Sequence, residues 1–314
     1  MANIKRFSRN NYLKVIAHLG VLLTMVAWGT SFISSKVLMV DGGFTPVETY
    51  IYRFTVAYII LLSFTFKRIS AYSWKDELQL MLCGMCAGSI YFVTENYALK
   101  YTTTGNVSLL SSISPIFTTV LMALIYKVRM MPGVIIGSIV AFAGVACIVF
   151  SHGGSLEIRP TGDVLALCSS LSWAVYTVAI KRLTPIYNSL YITRKLFFYG
   201  VLTALPLLMT QSTPLHLSVL FDMEQPQYLL NFLFLVIFCS IGGFIIFNEG
   251  VKILGSVTAS NYIYLQPLVT MVAGYFVFGE VITILGYIGC ILIIGGLVFS
   301  DKFKWDYSKR KNQE

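Results

Sequence analysis

Ten apolar runs of about 20 residues succeed one another along the chain, at about 15–40, 47–66, 78–99, 106–126, 132–150, 163–181, 190–209, 228–250, 257–279 and 281–300. A helix rises 1.5 Å per residue, so each run is long enough to cross the ~30 Å hydrocarbon layer of a bilayer. Polar and charged residues gather mainly in the intervals between runs. The pattern predicts an all-α membrane protein with ten transmembrane helices. Composition points the same way: the 314 residues are 56% hydrophobic and 12% charged, against about 25% charged in a typical soluble domain. Lys5, Arg6, Arg9 and Lys14 precede the first run as they would in a secretory signal. That run is too long for a signal's apolar core and no small-residue cleavage pattern follows it, so it is expected to remain as a helix.

The formal charge of +9 suggests a nucleic-acid partner only until the charges are placed. Let the N-terminus be cytoplasmic and the sides alternate across ten helices. Of the 23 Lys and Arg, four (Lys36, Arg53, Arg194, Lys195) lie within the runs and two (Lys100, Arg159) fall outside the cell, leaving seventeen on the cytoplasmic side. This positive-inside bias supports the helix number and the cytoplasmic placement of both termini. The basic balance reports on topology and anionic lipid, and no nucleic acid is implied.

Chemistry of other kinds finds little to stand on. The six cysteines all lie in apolar runs, and Cys83-x-x-Cys86 lacks the second pair or nearby His of a zinc site. His18, His152 and His216 are scattered. Neither a GxSxG elbow nor a phosphate loop is present. No metal, cofactor or enzymatic activity is expected.

An internal repeat is more informative. A shift of 152 residues brings Phe92 onto Phe244, Asn96 onto Asn248, Lys100 onto Lys252, Ser108 onto Ser260 and Pro115 onto Pro267, then Gly137 and Gly144 onto Gly289 and Gly296. Nearer the N-terminus the offset changes with loop length: Trp28 and Lys36 match Trp173 and Lys181, and YIYR (50–53) matches YITR (191–194). Each copy holds five helices. Five is odd, so the second copy enters the membrane from the opposite side. The expected organisation is a cytoplasmic segment 1–14, a first five-helix repeat 15–150, an external loop 151–162, a second, inverted repeat 163–300 and a cytoplasmic tail 301–314. Inverted repeats are the usual architecture of secondary transporters, with substrate bound between halves that alternate in access.

Two stretches carry a family resemblance. MVAWGTSFISSK (25–36) resembles the N-terminal signature of the EamA-type branch of the drug/metabolite transporter superfamily. FNEGVKILGSVTASNYIYLQPLVTMVAGYFVFGE (247–280) resembles that branch more specifically, through its small-residue turn 255–260, Pro267 and the closing Gly279-Glu280. The resemblance implies a bacterial inner-membrane carrier, often an exporter of amino acids or other small metabolites, with a central cavity formed by helices 1, 3, 4, 6, 8 and 9. One departure stands out: the first copy reads YKVRM (126–130) where the second reads FGEVI, so Glu280 has no counterpart.

Several residues stand out as transport-path candidates. Ionisable groups inside a membrane are costly and usually face a cavity or a partner. Glu95 is either an acid paired with Lys100 or a cavity acid that binds an amine or carries a proton. Asn96 and Asn248 are either a helix-to-helix clamp or equivalent gates. Trp28 and Trp173 each lie eight residues from a matching Lys, about 12 Å of rise, too deep for an interfacial belt. Tyr91, Tyr176, Tyr262 and Gln266 complete the set. Pro115 and Pro267 remove a helical hydrogen bond and bend their helices, as plain kinks or as hinges. Glu48 and Arg53 are expected to pair near the outer end of the second helix, and Gly133-x3-Gly137 to serve close packing, within one chain or between two copies.

The expected function is a secondary active transporter of a small metabolite, with protons a candidate coupling ion and a monomer or homodimer as its assembly. A channel and a membrane-embedded enzyme are the competing classes. A tag on the C-terminus should stay unlabelled by impermeant reagents on intact spheroplasts and become labelled after lysis. Labelling from outside would overturn the even helix number and the inversion with it.

Overall fold

The computed structural model describes residues 2–102, 104–151, 159–209, 216–279 and 281–310, and among them every regular element is helical. Among the described residues nine helices are long and apolar enough to cross a membrane: α1 Asn11–Asp41, α2 Pro46–Thr65, α3 Trp74–Ala98, α4 Asn106–Tyr126, α5 Pro132–Ser151, α6 Pro160–Leu183, α7 Ser189–Met209, α8 Gln227–Leu254 and, last of them in the chain, α10 Ile284–Lys302. Between the last two lies α9, where the sequence predicts one helix over 257–279. It is built in three pieces, Ser256–Asn261, a 3₁₀ turn Tyr262–Tyr264, and Leu265–Phe278. Pro267 has no N–H for the Ile263 carbonyl, so the chain tightens one turn earlier. Helix continues back from α1 to Ala2 and on from α10 to Arg310, where the sequence suggested segments outside the spans. Glu280 and residues 152–158 of the expected external loop lie outside the described residues.

The chain forms two compact units. One comprises Met1–Val93 and Ala179–Gly255, the other Thr94–Val178 and Ser256–Glu314. Each draws helices from both halves of the sequence. The chain passes between units within α3, within α6, and at Gly255, whose φ of +88° suits glycine.

In the first unit α2 packs on α7 and α1 on α8. The sequence TPVE starts α2 with a capping box: Thr45 Oγ1 accepts the Glu48 N–H at 3.2 Å, and the Thr45 N–H donates to Glu48 Oε2 at 2.8 Å. Three stretches are π-helical: Val37–Asp41 at the end of α1, Met85–Ser89 in α3 and Leu235–Gly242 in α8. The 152-residue shift carries the one in α3 inside the one in α8.

In the second unit α4 is interrupted at Ser112–Ile113, just ahead of Pro115. Pro115 cannot bond the Ser111 carbonyl, and lipid offers no substitute donor. Ser170 of α6 does: its hydroxyl donates to Leu110 O at 2.7 Å and to Ser111 O at 2.9 Å. Beside it, α5 and α10 run antiparallel at backbone contact. A Cβ on Gly137 would stand 2.5 Å from the Gly296 carbonyl, and one on Gly144 2.7 Å from the Gly289 carbonyl. Gly137 thus closes a contact within the chain.

Alanine at Gly144 meets backbone that cannot retreat. Gly144→Ala is expected to destabilise the detergent-solubilised protein by about 1–3 kcal/mol, as overpacking does, read as a lower unfolding midpoint. Gly295→Ala, whose new Cβ would meet nothing within 4 Å, should leave that midpoint unchanged or slightly raised.

Candidate functional site

In the first unit Trp28 of α1 is 8% exposed. Its indole N–H donates to the Cys239 carbonyl at 2.8 Å. That carbonyl lies in the π-helical part of α8, where the wider turn disturbs the regular ladder. The ring packs edge-on to Phe244, centroids 5.6 Å apart, and tilted against Phe247 at 5.5 Å. Gly243 makes room, since a Cβ there would sit 2.5 Å from Trp28 Nε1. From Phe244 the ring contacts run through Phe54 and Phe92 to Tyr91 of α3, itself half-buried. Asn248 follows Phe247 and is fully buried; its Nδ2 donates to Thr193 Oγ1 at 3.2 Å, which ties α8 to α7. A space of about 10 Å³ between Tyr50, Gly88, Phe197 and Phe244 is at the lower limit for one water.

The expected Glu48–Arg53 pair does not form. Glu48 is fully buried and satisfied elsewhere: besides Thr45, its Oε1 accepts the His216 backbone N–H at 2.8 Å, and the His216 ring Nδ1 lies 3.2 Å from Oε2. The cap geometry turns the Glu48 carboxylate back toward its own helix start, away from a residue five positions on. Arg53 therefore stands about 10 Å of helix rise inside α2, with its Nε donating to Ser240 Oγ at 2.5 Å and its guanidinium carbon 5.0 Å from the Phe54 ring centre. Insertion scales charge about 2.5–3.5 kcal/mol for an Arg at a helix centre, so this position calls for an answering group.

A second charged cluster in the same unit escaped the sequence reading. It joins the starts of α3 and α7. Glu77 accepts from Lys195, from Tyr199 and, at 2.7 Å, from the Ala71 N–H. Asp76 accepts from Arg182 at 3.3 Å and from Tyr187 at 2.9 Å. Burial pushes the Tyr187 phenol up and the bond to Asp76 adds to this, so it remains a donor. Arg194 ties down the end of α2, donating to Thr65 O at 2.8 Å, Arg68 O at 2.6 Å and Ile69 O at 3.2 Å. Arg194-Lys195 inside an apolar run was the signal available; the acid that answers Lys195 lies 118 residues earlier.

The second unit holds the other candidates. Glu95 and Asn96 are half-buried on α3, directly after the passage at Val93–Thr94. Trp173, 7% exposed, meets Tyr176, fully buried, edge to face at 5.1 Å. Tyr262 opens the 3₁₀ turn of α9 and Gln266 is the second residue of the piece after it, both half-buried. Pro115 and Pro267 sit in the first turns of the last pieces of α4 and α9. Asp163, at the start of α6, accepts from Thr102 at 2.8 Å and from Asn106 at 3.1 Å. The structure thus brings Trp28 together with the Tyr91 and Asn248 regions in one unit, and Trp173 with Tyr176 in the other.

Nine membrane-length helices among the described residues make this a multi-pass membrane protein. The model of the EamA-like transporter family matches residues 15–150 and again residues 160–300, and the chain belongs to that family. It is similar to an uncharacterized transporter of Clostridium kluyveri, 28% identical over 89% of this chain and 91% of that one. It is similar also to YyaM, an uncharacterized transporter of Bacillus subtilis, 26% identical over 90% and 93% of the two chains. A probable terminal-alkyne amino-acid exporter of Streptantibioticus cattleyicolor is 27% identical over 90% of this chain and 92% of its own. A solved crystal structure, 17% identical, shares the fold with a TM-score of 0.74 over 91% of this chain and 96% of that one.

Glu77→Gln leaves the Lys195 ammonium, 8% exposed, short of its charge partner. The expected loss is about 2 kcal/mol, below the roughly 3–5 of a fully buried pair because the Glu77 side is a quarter open to solvent. Glu77→Gln combined with Lys195→Met should recover most of it. A double variant as unstable as the sum of the singles would show that the two side chains act separately.

Proposed function

We propose that the protein is a secondary active carrier that exports a small metabolite, an amino acid or a related compound, across a bacterial inner membrane by alternating access. The observation that carries this reading is the match of one transporter family model twice along a single chain. Two copies supply two quasi-equivalent halves, and five helices in each would set the second upside down relative to the first. The antiparallel glycine contact supports that inversion. Under the 152-residue shift, Gly137 against Gly296 becomes Gly289 against Gly144, the other contact of the pair, as contacts across a two-fold axis do. The breaks in α4 and α9 and the π-helical stretches of α3 and α8 recur under the same shift.

In this reading the repeats are 15–150 and 163–300, joined outside the cell by 151–162, with both termini cytoplasmic. The path is lined by Trp28, Tyr91, Glu95, Asn96, Trp173, Tyr176, Asn248, Tyr262 and Gln266. Pro115 and Pro267 act as hinges where α4 and α9 are already divided. The class of substrate is supported by the Streptantibioticus cattleyicolor relative, described as an amino-acid exporter. Protons are the candidate coupling ion through Glu95, and the lipid bilayer is the other partner.

Proteoliposomes loaded with each of the twenty protein amino acids in turn should accumulate the same labelled amino acid transiently for at least one of them, and the initial rate should saturate. Flux that rises linearly with concentration and shows no counterflow would replace the carrier by a channel. Flux no greater than in protein-free vesicles for all twenty would remove the amino-acid assignment.

A further inference from the structure

Arg53 and Arg194 hold the same place in the two copies, the last residue of YIYR and of YITR. Both are buried, at 7% and 2% exposure. Their donors are used differently. Arg194 has both terminal nitrogens engaged, Nη1 by the Thr65 carbonyl and hydroxyl and Nη2 by the Arg68 and Ile69 carbonyls. Arg53 uses Nε alone, on Ser240 Oγ. Its Nη1 and Nη2 bond nothing among the described residues. One copy has thus filled its guanidinium with backbone, and the other has left the terminal nitrogens open.

Among the described residues, the surroundings of Arg53 supply no countercharge. Glu48, the acid nearest in sequence, is taken up by Thr45 and His216. The Cys239 thiol donates to the Ala27 carbonyl at 3.3 Å. The Cys239 carbonyl already accepts the Trp28 indole. What remains is aromatic: Phe54 under the guanidinium and Tyr50 one turn before it. A guanidinium held at Nε and against a ring keeps its outer N–H pair in a fixed plane, and that fork matches the two oxygens of a carboxylate. Resting on the carrier reading, the geometry points to Arg53 as the group that binds the carboxylate of the transported metabolite, with Ser240 positioning it. The substrate class narrows to small molecules that carry a free carboxylate.

The test is chemical and needs no knowledge of the substrate. Purified full-length protein is treated with phenylglyoxal, which reacts with free guanidinium nitrogens, and modification is mapped residue by residue by mass spectrometry. Acetate, glycine, glycinamide and inorganic phosphate are added separately, with chloride keeping the ionic strength constant. Arg53 should react in chloride, and acetate and glycine should slow it about fivefold when present at four times their Kd. Glycinamide, which lacks the carboxylate, should not slow it. Arg194 should stay unmodified throughout, and Arg182, whose side chain is 54% exposed, should react at one rate in every solution. An unreactive Arg53, no protection by acetate or glycine, or protection by phosphate at least as strong as by acetate, as a lipid headgroup site would give, each overturns the assignment.

Transport then separates this inference from the reading beneath it. In counterflow with an amino acid that the wild type carries, Arg53→Lys should raise KM about tenfold with a smaller change in maximal rate, the loss of one bidentate contact. Carboxylate protection of Arg53 without counterflow would keep the site and remove the carrier. Counterflow unchanged in Arg53→Lys would keep the carrier and remove the site.

Discussion

A charge inside a bilayer must be answered from within the protein, because lipid has neither water nor counter-ions to offer. Much of the first unit follows from that constraint. Glu48 is drawn back to the start of its own helix and pins His216 there. Glu77 gathers Lys195, Tyr199 and the Ala71 N–H, so the loop between α2 and α3 is fastened to α7. Arg194 closes the end of α2 by meeting carbonyls that a helix terminus leaves orphaned. Set among these, Arg53 is conspicuous because the same logic stops one step short: the ring and the hydroxyl are in place and no described residue supplies the anion.

The second unit obeys the neutral form of the same rule. Proline in a membrane helix leaves a carbonyl without a donor, and Ser170 restores one to Leu110 and Ser111. Glycine allows α5 and α10 to approach until carbonyls lie against backbone, which gains dispersion contact where lipid gives helices no hydrophobic reason to associate. Two helices divided near their middles and two others locked together make a unit in which stiffness and articulation are separated by helix.

The spans were legible because lipid imposes a length, and nine of the ten runs became helices that meet it. The tenth, α9, was recognisable as apolar, and the proline that divides it was visible, but the 3₁₀ turn depends on the backbone's response. Legibility failed where partners are distant in sequence. Lys195 and Glu77 are separated by 118 positions and His216 and Glu48 by 168, so proximity along the chain favoured the wrong partner for Glu48. The repeated pattern of residues hides a difference that matters more: Arg53 and Arg194 share a register and have opposite hydrogen-bonding fates.

The clasp made by Arg194 also has a schedule. Its acceptor Thr65 is 129 positions earlier in the chain, and at about 5–20 residues per second of synthesis the ribosome delivers the arginine roughly 6–26 s after the threonine. From the completion of α3 until Arg194 and Lys195 follow, the hairpin of α2 and α3 has open carbonyls at its turn and a Glu77 without its ammonium partner. The early half of the nascent protein is therefore the stage at which membrane insertion factors and quality-control proteases have the longest opportunity to act.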